Sequence, residues 1–182
     1  LHGNSIRRLP HFHDPIPNLI HFNLQGNKLK SVPVLPFPIL TKLDLTSNAI
    51  KDIEPSAFAG ISTLRTLRLS QNRIRRITAE TFIGLKNLKR LYLDQNQIKF
   101  VDPQAWKDLE LLHKIDLSEN QISKTVSFND CLPNLKNLNL SSNNIQKFEA
   151  LDVFKPFEKL EILNTSGNPV TSEDEYRLCL IE

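Results

Sequence analysis

LKRLYLDQN, residues 88–96, alternates leucine with charged or polar side chains and ends on an asparagine. The alternation at Leu91, Tyr92 and Leu93 has period two, the spacing of a strand with one buried face. So short a strand cannot bury its leucines alone, and the remainder of the chain supplies copies of it. Moving outward from Asn96, the same residue stands at Asn4, Asn27, Asn48, Asn72, Asn120, Asn143 and Asn168. The eight asparagines are separated by 23, 21, 24, 24, 24, 23 and 25 residues. Eight residues before each from Asn27 onward are Leu19, Leu40, Leu64, Leu88, Leu112, Leu135 and Leu160. Five before are Phe22, Leu43, Leu67, Leu91, Ile115, Leu138 and Leu163. Three before are Leu24, Leu45, Leu69, Leu93, Leu117, Leu140 and Thr165, and two after are Leu29, Ile50, Ile74, Ile98, Ile122, Ile145 and Val170.

Each column has a physical reason. Stacked coils bury the strand leucines as one continuous interior, and their strands pair in parallel. The asparagine amide offers two donors and an acceptor, so it is expected to satisfy backbone groups of its own turn and of the next. On the back of the coil, Phe58, Phe82 and Trp106 each fall ten residues after their asparagine, and Ile61, Leu85 and Leu109 thirteen after. The stretch VPVLPFPI, residues 32–39, holds three prolines and is expected to run extended. A further proline-rich segment runs from Pro10 to Pro17. In the fifth repeat Thr125 and Asp130 replace apolar residues, which reads as a local loop.

The frame L-x-x-L-x-L-x-x-N resembles the leucine-rich-repeat family, and the resemblance covers nearly the whole chain. The A-F-x-G backs resemble its 24-residue typical subclass. The fold class implied is α/β: a right-handed solenoid with a parallel concave sheet and an irregular, 3-10 or helical convex side. The chain then reads as one domain, 1–182. A partial repeat, 1–18, precedes repeats at 19–39, 40–63, 64–87, 88–111, 112–134, 135–159 and 160–171, and a cap helix begins in 172–182. Within that cap, Ser172 and Glu175 have capping-box spacing, and Tyr176, Cys179 and Leu180 share one helical face. Gly167, Asn168, Pro169, Tyr176, Arg177, Leu178 and Ile181 resemble the cap of intracellular members, which include spliceosomal, tubulin-folding and axonemal proteins. The chain opens at Leu1 inside a repeat and contains no methionine, so it reads as a fragment.

The cap points to the cytoplasm. The typical repeats, and the sequons Asn139-Leu-Ser141 and Asn164-Thr-Ser166, point to a cell-surface ectodomain instead. Both sequons fall in the strand frame, where the same residues recur for structural reasons. Cys131 and Cys179 are two coils apart, roughly 10 Å at about 4.8 Å per strand, too far for an unstrained disulfide.

The non-leucine strand positions face outward on the sheet. They supply Arg65, Arg68, Lys89, Arg90, Lys114 and Lys136 against Asp94, Asp116 and Glu119, with His113 among them and Tyr92 at the centre. Tyrosine and arginine are the residues enriched at binding hot spots, and arginine grips carboxylates bidentately. A protein partner with an acidic segment is the occupant expected of this face; a merely solvated polar surface is the alternative. Arg73, Arg75 and Arg76 form a second basic strip on the rim, open to the same two readings or to phosphate. The leading reading is an interaction scaffold or assembly subunit, cytoskeletal or axonemal by resemblance. An extracellular receptor or matrix ectodomain and an RNA-associated adaptor are the alternatives.

Other chemistry is not indicated. The chain has 182 residues, 40% hydrophobic and 24% charged, with a net charge of +3. No apolar run approaches the roughly 20 residues of a membrane span. No nucleophile–base constellation or glycine-rich phosphate loop is present, so neither catalysis nor a cofactor is expected. His11, His13 and Asp14 are close in sequence but lack further metal ligands. Nucleic acid is disfavoured as a partner, because aromatic stacking on the concave face is limited to Tyr92 and the pI of 8.9 is moderate.

Overall fold

The computed structural model describes residues 1–10, 16–55, 57–124, 131–146 and 157–172. Within these, the strands are β1 (His21–Asn23), β2 (Lys42–Asp44), β3 (Thr66–Arg68), β4 (Arg76–Ile77), β5 (Arg90–Tyr92), β6 (Phe100–Val101), β7 (Lys114–Asp116), β8 (Asn137–Asn139) and β9 (Ile162–Asn164). Seven of them form one parallel sheet in the order β1-β2-β3-β5-β7-β8-β9. The register is in phase throughout: Phe22, Leu43, Leu67, Leu91, Ile115, Leu138 and Leu163 lie side by side. A slip of one residue would turn every leucine outward, so the apolar pattern fixes the pairing. Leu43, Leu67, Leu91, Ile115 and Leu138 are fully buried in one shared core, while Phe22 and Leu163 on the end strands are half-buried. The chain is therefore a solenoid of stacked coils.

The asparagines hold the coils together, but they reach backward. Asn96 Nδ2 donates to Leu93 O at 3.0 Å and to Leu69 O of the preceding coil at 2.9 Å. Its Oδ1 accepts from Ile74 N, also of the preceding coil, at 3.0 Å. The expected contact with the next coil is absent because the backbone already makes it. Leu93 N donates to Asp116 O and Gln95 N to Ser118 O. The groups left over are the carbonyl and amide behind, and the side chain satisfies those. Asn27, Asn48, Asn72, Asn120, Asn143 and Asn168 do the same in their own coils. All are buried except Asn48, which is half-buried.

The residue before each asparagine turns through the left-handed region. Ser47, Gln71, Gln95, Glu119 and Ser142 have φ between 53° and 55°. Glycine fills the same place at Gly26 and Gly167, where the conformation is free of Cβ strain.

On the back of the coils the aromatics stack. Phe58 and Phe82 have centroids 6.5 Å apart at 20°, and Phe82 and Trp106 6.0 Å apart at 22°. Ile61 N donates to Phe58 O, Leu85 N to Phe82 O and Leu109 N to Trp106 O, each a tight turn that folds the aromatic inward. The 21-residue repeat does not depart from this plan as far as its prolines suggest. Phe37 also lies ten residues after its asparagine, is fully buried, and accepts from Leu40 N. In the 24-residue repeats a second such turn follows, from Ile61 O to Leu64 N for example. The shorter repeat omits that turn, so one aromatic serves both positions. A 3-10 helix, Pro103–Trp106, is capped by Asp102, whose side chain accepts from Gln104 N at 2.8 Å.

One feature had no signature in the frame. Arg76 and Ile77 pair with Phe100 and Val101 in a separate two-stranded parallel sheet after the asparagine turns. The C-terminal side ends in a 3-10 turn, Pro169–Ser172. The expected cap from Glu173 to Glu182, the fifth-repeat residues Thr125 and Asp130, Cys179, and His11, His13 and Asp14 lie outside the described residues. Cys131 is half-buried.

Candidate partner-binding face

Three rows of side chains cross the exposed face of the main sheet. The first runs Arg65, Lys89, His113, Lys136 and Glu161, locked in step because each residue's N–H donates to the carbonyl of its neighbour at 2.8–2.9 Å. The second is Thr66, Arg90, Lys114 and Asn137, and the third Asp44, Arg68, Tyr92, Asp116 and Asn139. A strand two positions long on this face gives each coil a pair of outward groups, and the in-phase stacking converts sequence columns into a continuous surface.

Tyr92 sits between two cations. Arg68 Cζ is 4.6 Å from its ring centroid and Lys114 Nζ 5.4 Å, both within cation–π range. Arg68 Nε lies 4.0 Å from Asp44 Oδ2, too long for a hydrogen bond, and this buried nitrogen has no acceptor among the described residues. Lys136 Nζ is ion-paired with Glu161 Oε1. His113 donates from Nδ1 to Leu111 O at 2.5 Å, which fixes the ring against the rim.

The carboxylates are mostly tied to neighbours. Asp94 Oδ1 accepts from Ser70 Oγ at 2.6 Å, and Asp116 Oδ1 accepts from Ser118 Oγ at 2.7 Å. Glu119 accepts from Gln95 Nε2 on the rim. Asp44 and Glu161 add to the three carboxylates named from the frame, and each approaches one of the six cations. They were legible, since Asp44 is in the same column as Arg68 and Glu161 in the same column as Lys136. What remains unpaired by carboxylates among the described residues is Lys114, which lies against Tyr92, and beside it a block of Arg65, Lys89 and Arg90, all exposed.

The sequons have a structural role. Asn139 Oδ1 accepts from Ser141 N and Oγ at 3.1 and 2.8 Å, and Asn164 Oδ1 accepts from Ser166 in the same way. Asp116 and Ser118 form the identical turn with a carboxylate in place of the amide. Among the described residues no three His, Cys, Asp or Glu side chains converge as a metal site, and no helix is long and apolar enough to cross a membrane.

Comparison with known proteins agrees with this geometry. Family models described as leucine rich repeat match residues 38–98 and 62–122, and another described as leucine-rich repeat matches 105–182. Among curated proteins, the probable U2 small nuclear ribonucleoprotein A′ of Caenorhabditis elegans is 42% identical over 50 residues, 28% of this chain and 20% of that protein. Among solved structures, the Toll–Spatzle complex of Drosophila in its glycosylated form aligns with 82% of this chain and 22% of that one, at 27% identity and TM-score 0.76. The complex of TLR13 with ssRNA13 aligns over 82% of this chain and 21% of that one, at 31% identity and TM-score 0.68. The matched segments thus span about a fifth of each relative's length.

Proposed function

The chain belongs to the leucine-rich-repeat family, and from that premise we propose that it binds a protein partner across the exposed face of its main sheet, gripping an acidic segment. The observation that carries this reading is the block of Arg65, Lys89 and Arg90 next to Tyr92 and its two cations. Arginine and tyrosine held in one rigid sheet offer charge-assisted hydrogen bonds and apolar area at little entropic cost. The solved structure aligned at 27% identity is that of Toll in complex with Spatzle, a pairing of two proteins. Binding rather than catalysis is the function proposed, as a scaffold or assembly subunit in the cytoplasm. The cytoskeletal or axonemal assignment rests on the resemblance of the cap.

The test is affinity capture with the intact chain, followed by titration of each captured protein's acidic segment. The triple variant Arg68→Ala, Arg90→Ala, Tyr92→Ala is expected to weaken binding at least 30-fold. Undiminished affinity in that variant rejects the face as the site.

The ectodomain reading is favoured by the typical repeats and by Asn164, which is exposed in a sequon. Against it, Asp116 shows that the strand frame selects this turn without any glycan. Mass spectrometry of the protein from its native source before and after amidase treatment separates the two. A glycan on Asn139 or Asn164 favours the cell-surface reading.

A further inference from the structure

The flank that follows the asparagine turns carries a second charged surface, separate from the sheet face. Counting one to four residues after each asparagine from Asn4 to Asn120 gives Arg7, Arg8, Lys28, Lys30, Lys51, Arg73, Arg75, Arg76, Lys99 and Lys124. All ten are exposed, and among the described residues none forms an ion pair. The same positions hold a single carboxylate, Asp52. This flank therefore has nine net positive charges in a chain whose total is +3, leaving the remainder at −6. The third position is the regular one: Arg7, Lys30, Lys51, Arg75 and Lys99 occupy five successive coils. Backbone bonds hold them in line, Lys51 N to Lys30 O at 3.4 Å and Lys99 N to Arg75 O at 2.9 Å. At about 4.8 Å per strand the column is roughly 20 Å long.

Such a column calls for a linear polyanion, and two neighbouring features choose among polyanions. Phe100, on β6 beside Lys99, is 55% exposed. Lys99 itself lines a recess of about 390 Å³ together with Gln121, Ser123 and Asn144. A free aromatic face stacks on any base, and side-chain amides bond base edges. Acidic peptides and sulfated glycans present phosphate-like charge but no bases for these two features to meet.

We propose that this flank binds single-stranded nucleic acid. The cation column follows the phosphates, Phe100 stacks on one base, and the amide-lined recess receives the edge of the next. The aromatic poverty that counts against nucleic acid on the sheet face does not apply here, because the two surfaces are different.

The test is fluorescence anisotropy with a labelled oligouridine of about a dozen nucleotides, within the usual range of single-strand sites. With about five phosphates engaged, affinity is expected to fall roughly 100-fold between 50 and 200 mM salt. The variant Lys30→Ser, Lys51→Ser, Arg75→Ser, Lys99→Ser should abolish most binding while its thermal unfolding stays at the parent's. Phe100→Ala should weaken oligouridine at least fivefold and leave binding of a labelled heparin fragment unchanged. The sheet-face triple variant should bind oligouridine as the parent does, so this proposal and the one above fail separately. No binding at 50 mM salt, full binding by the four-serine variant, or a silent Phe100→Ala with heparin bound more tightly than oligouridine each overturns it.

Discussion

Arg68 lies over the ring of Tyr92, its Cζ 4.6 Å from the centroid, because the two residues are register partners on β3 and β5. The pair is a direct product of the repeat: the same frame position, one coil apart, on strands that cannot slip. A cation–π contact at a partly exposed site contributes about 0.5–1 kcal/mol. In a double-mutant cycle of Arg68→Ala and Tyr92→Ala, urea unfolding should therefore show a coupling of about that size. Tyr92→Phe should preserve it, since the ring face and not the hydroxyl makes the contact. Strict additivity of the two alanine variants would deny the interaction.

The ladder of asparagines should reveal burial as a gradient in stability. Asn96→Ala leaves Ile74 N without a partner in a buried turn, and takes one of two asparagine donors from each of Leu69 O and Leu93 O, which keep those of Asn72 and Asn120. An amide orphaned in this way costs about 1–3 kcal/mol when water cannot reach it. Asn48 makes the equivalent bonds to Leu24 O, Leu45 O and Leu29 N, but it is half-buried, so water can replace some of them. Asn48→Ala is accordingly expected to cost less than Asn96→Ala, by about 1 kcal/mol, in chemical denaturation. Equal costs would show that solvent access to the turn is irrelevant.

How far these columns were legible depends on what each residue's neighbours in sequence disclose. The leucine positions and the asparagines follow from period and spacing alone, because burial of a strand face admits one answer. The direction of the asparagine bonds does not follow, since it depends on which backbone groups the sheet ladder leaves over. Phe37 was hidden by Pro36 and Pro38, whose local preference suggests an extended back while the coil still needs an aromatic inside it. The β4–β6 pair has no columnar signal because Arg76 and Phe100 share a position but no residue type. On the sheet face the cations were visible as columns, whereas their pairing with Asp44 and Glu161 depends on side-chain reach.

Ser142 offers a gain rather than a loss. Its φ of 54° places a side chain in the left-handed region, as at the matching positions Gly26 and Gly167 where glycine stands. Ser142→Gly removes the Cβ strain of about 1 kcal/mol at the expense of some unfolded-state entropy. A net rise of about 0.5 kcal/mol is expected, measured as a higher denaturation midpoint at unchanged slope. A lower midpoint would mean that the turn tolerates the side chain without strain.

Phe37 sets the cohesion of the first coils. It is fully buried, and its ring meets Phe22 edge to face at 5.3 Å and 86°, joining the back of the short repeat to β1. Truncation to alanine should cost about 3–5 kcal/mol, the range for a buried phenylalanine. A solenoid distributes that cost unevenly, since each coil is stabilised by its immediate neighbours. Hydrogen exchange of Phe37→Ala should consequently quicken at Leu24 N, Thr41 N and Leu45 N, which bond across β1, β2 and β3. The amides of Leu93 and Leu117, which bond across β5, β7 and β8, should retain their protection. Uniform loss of protection along the chain would instead make the stack one cooperative unit, in which no coil can open before the others.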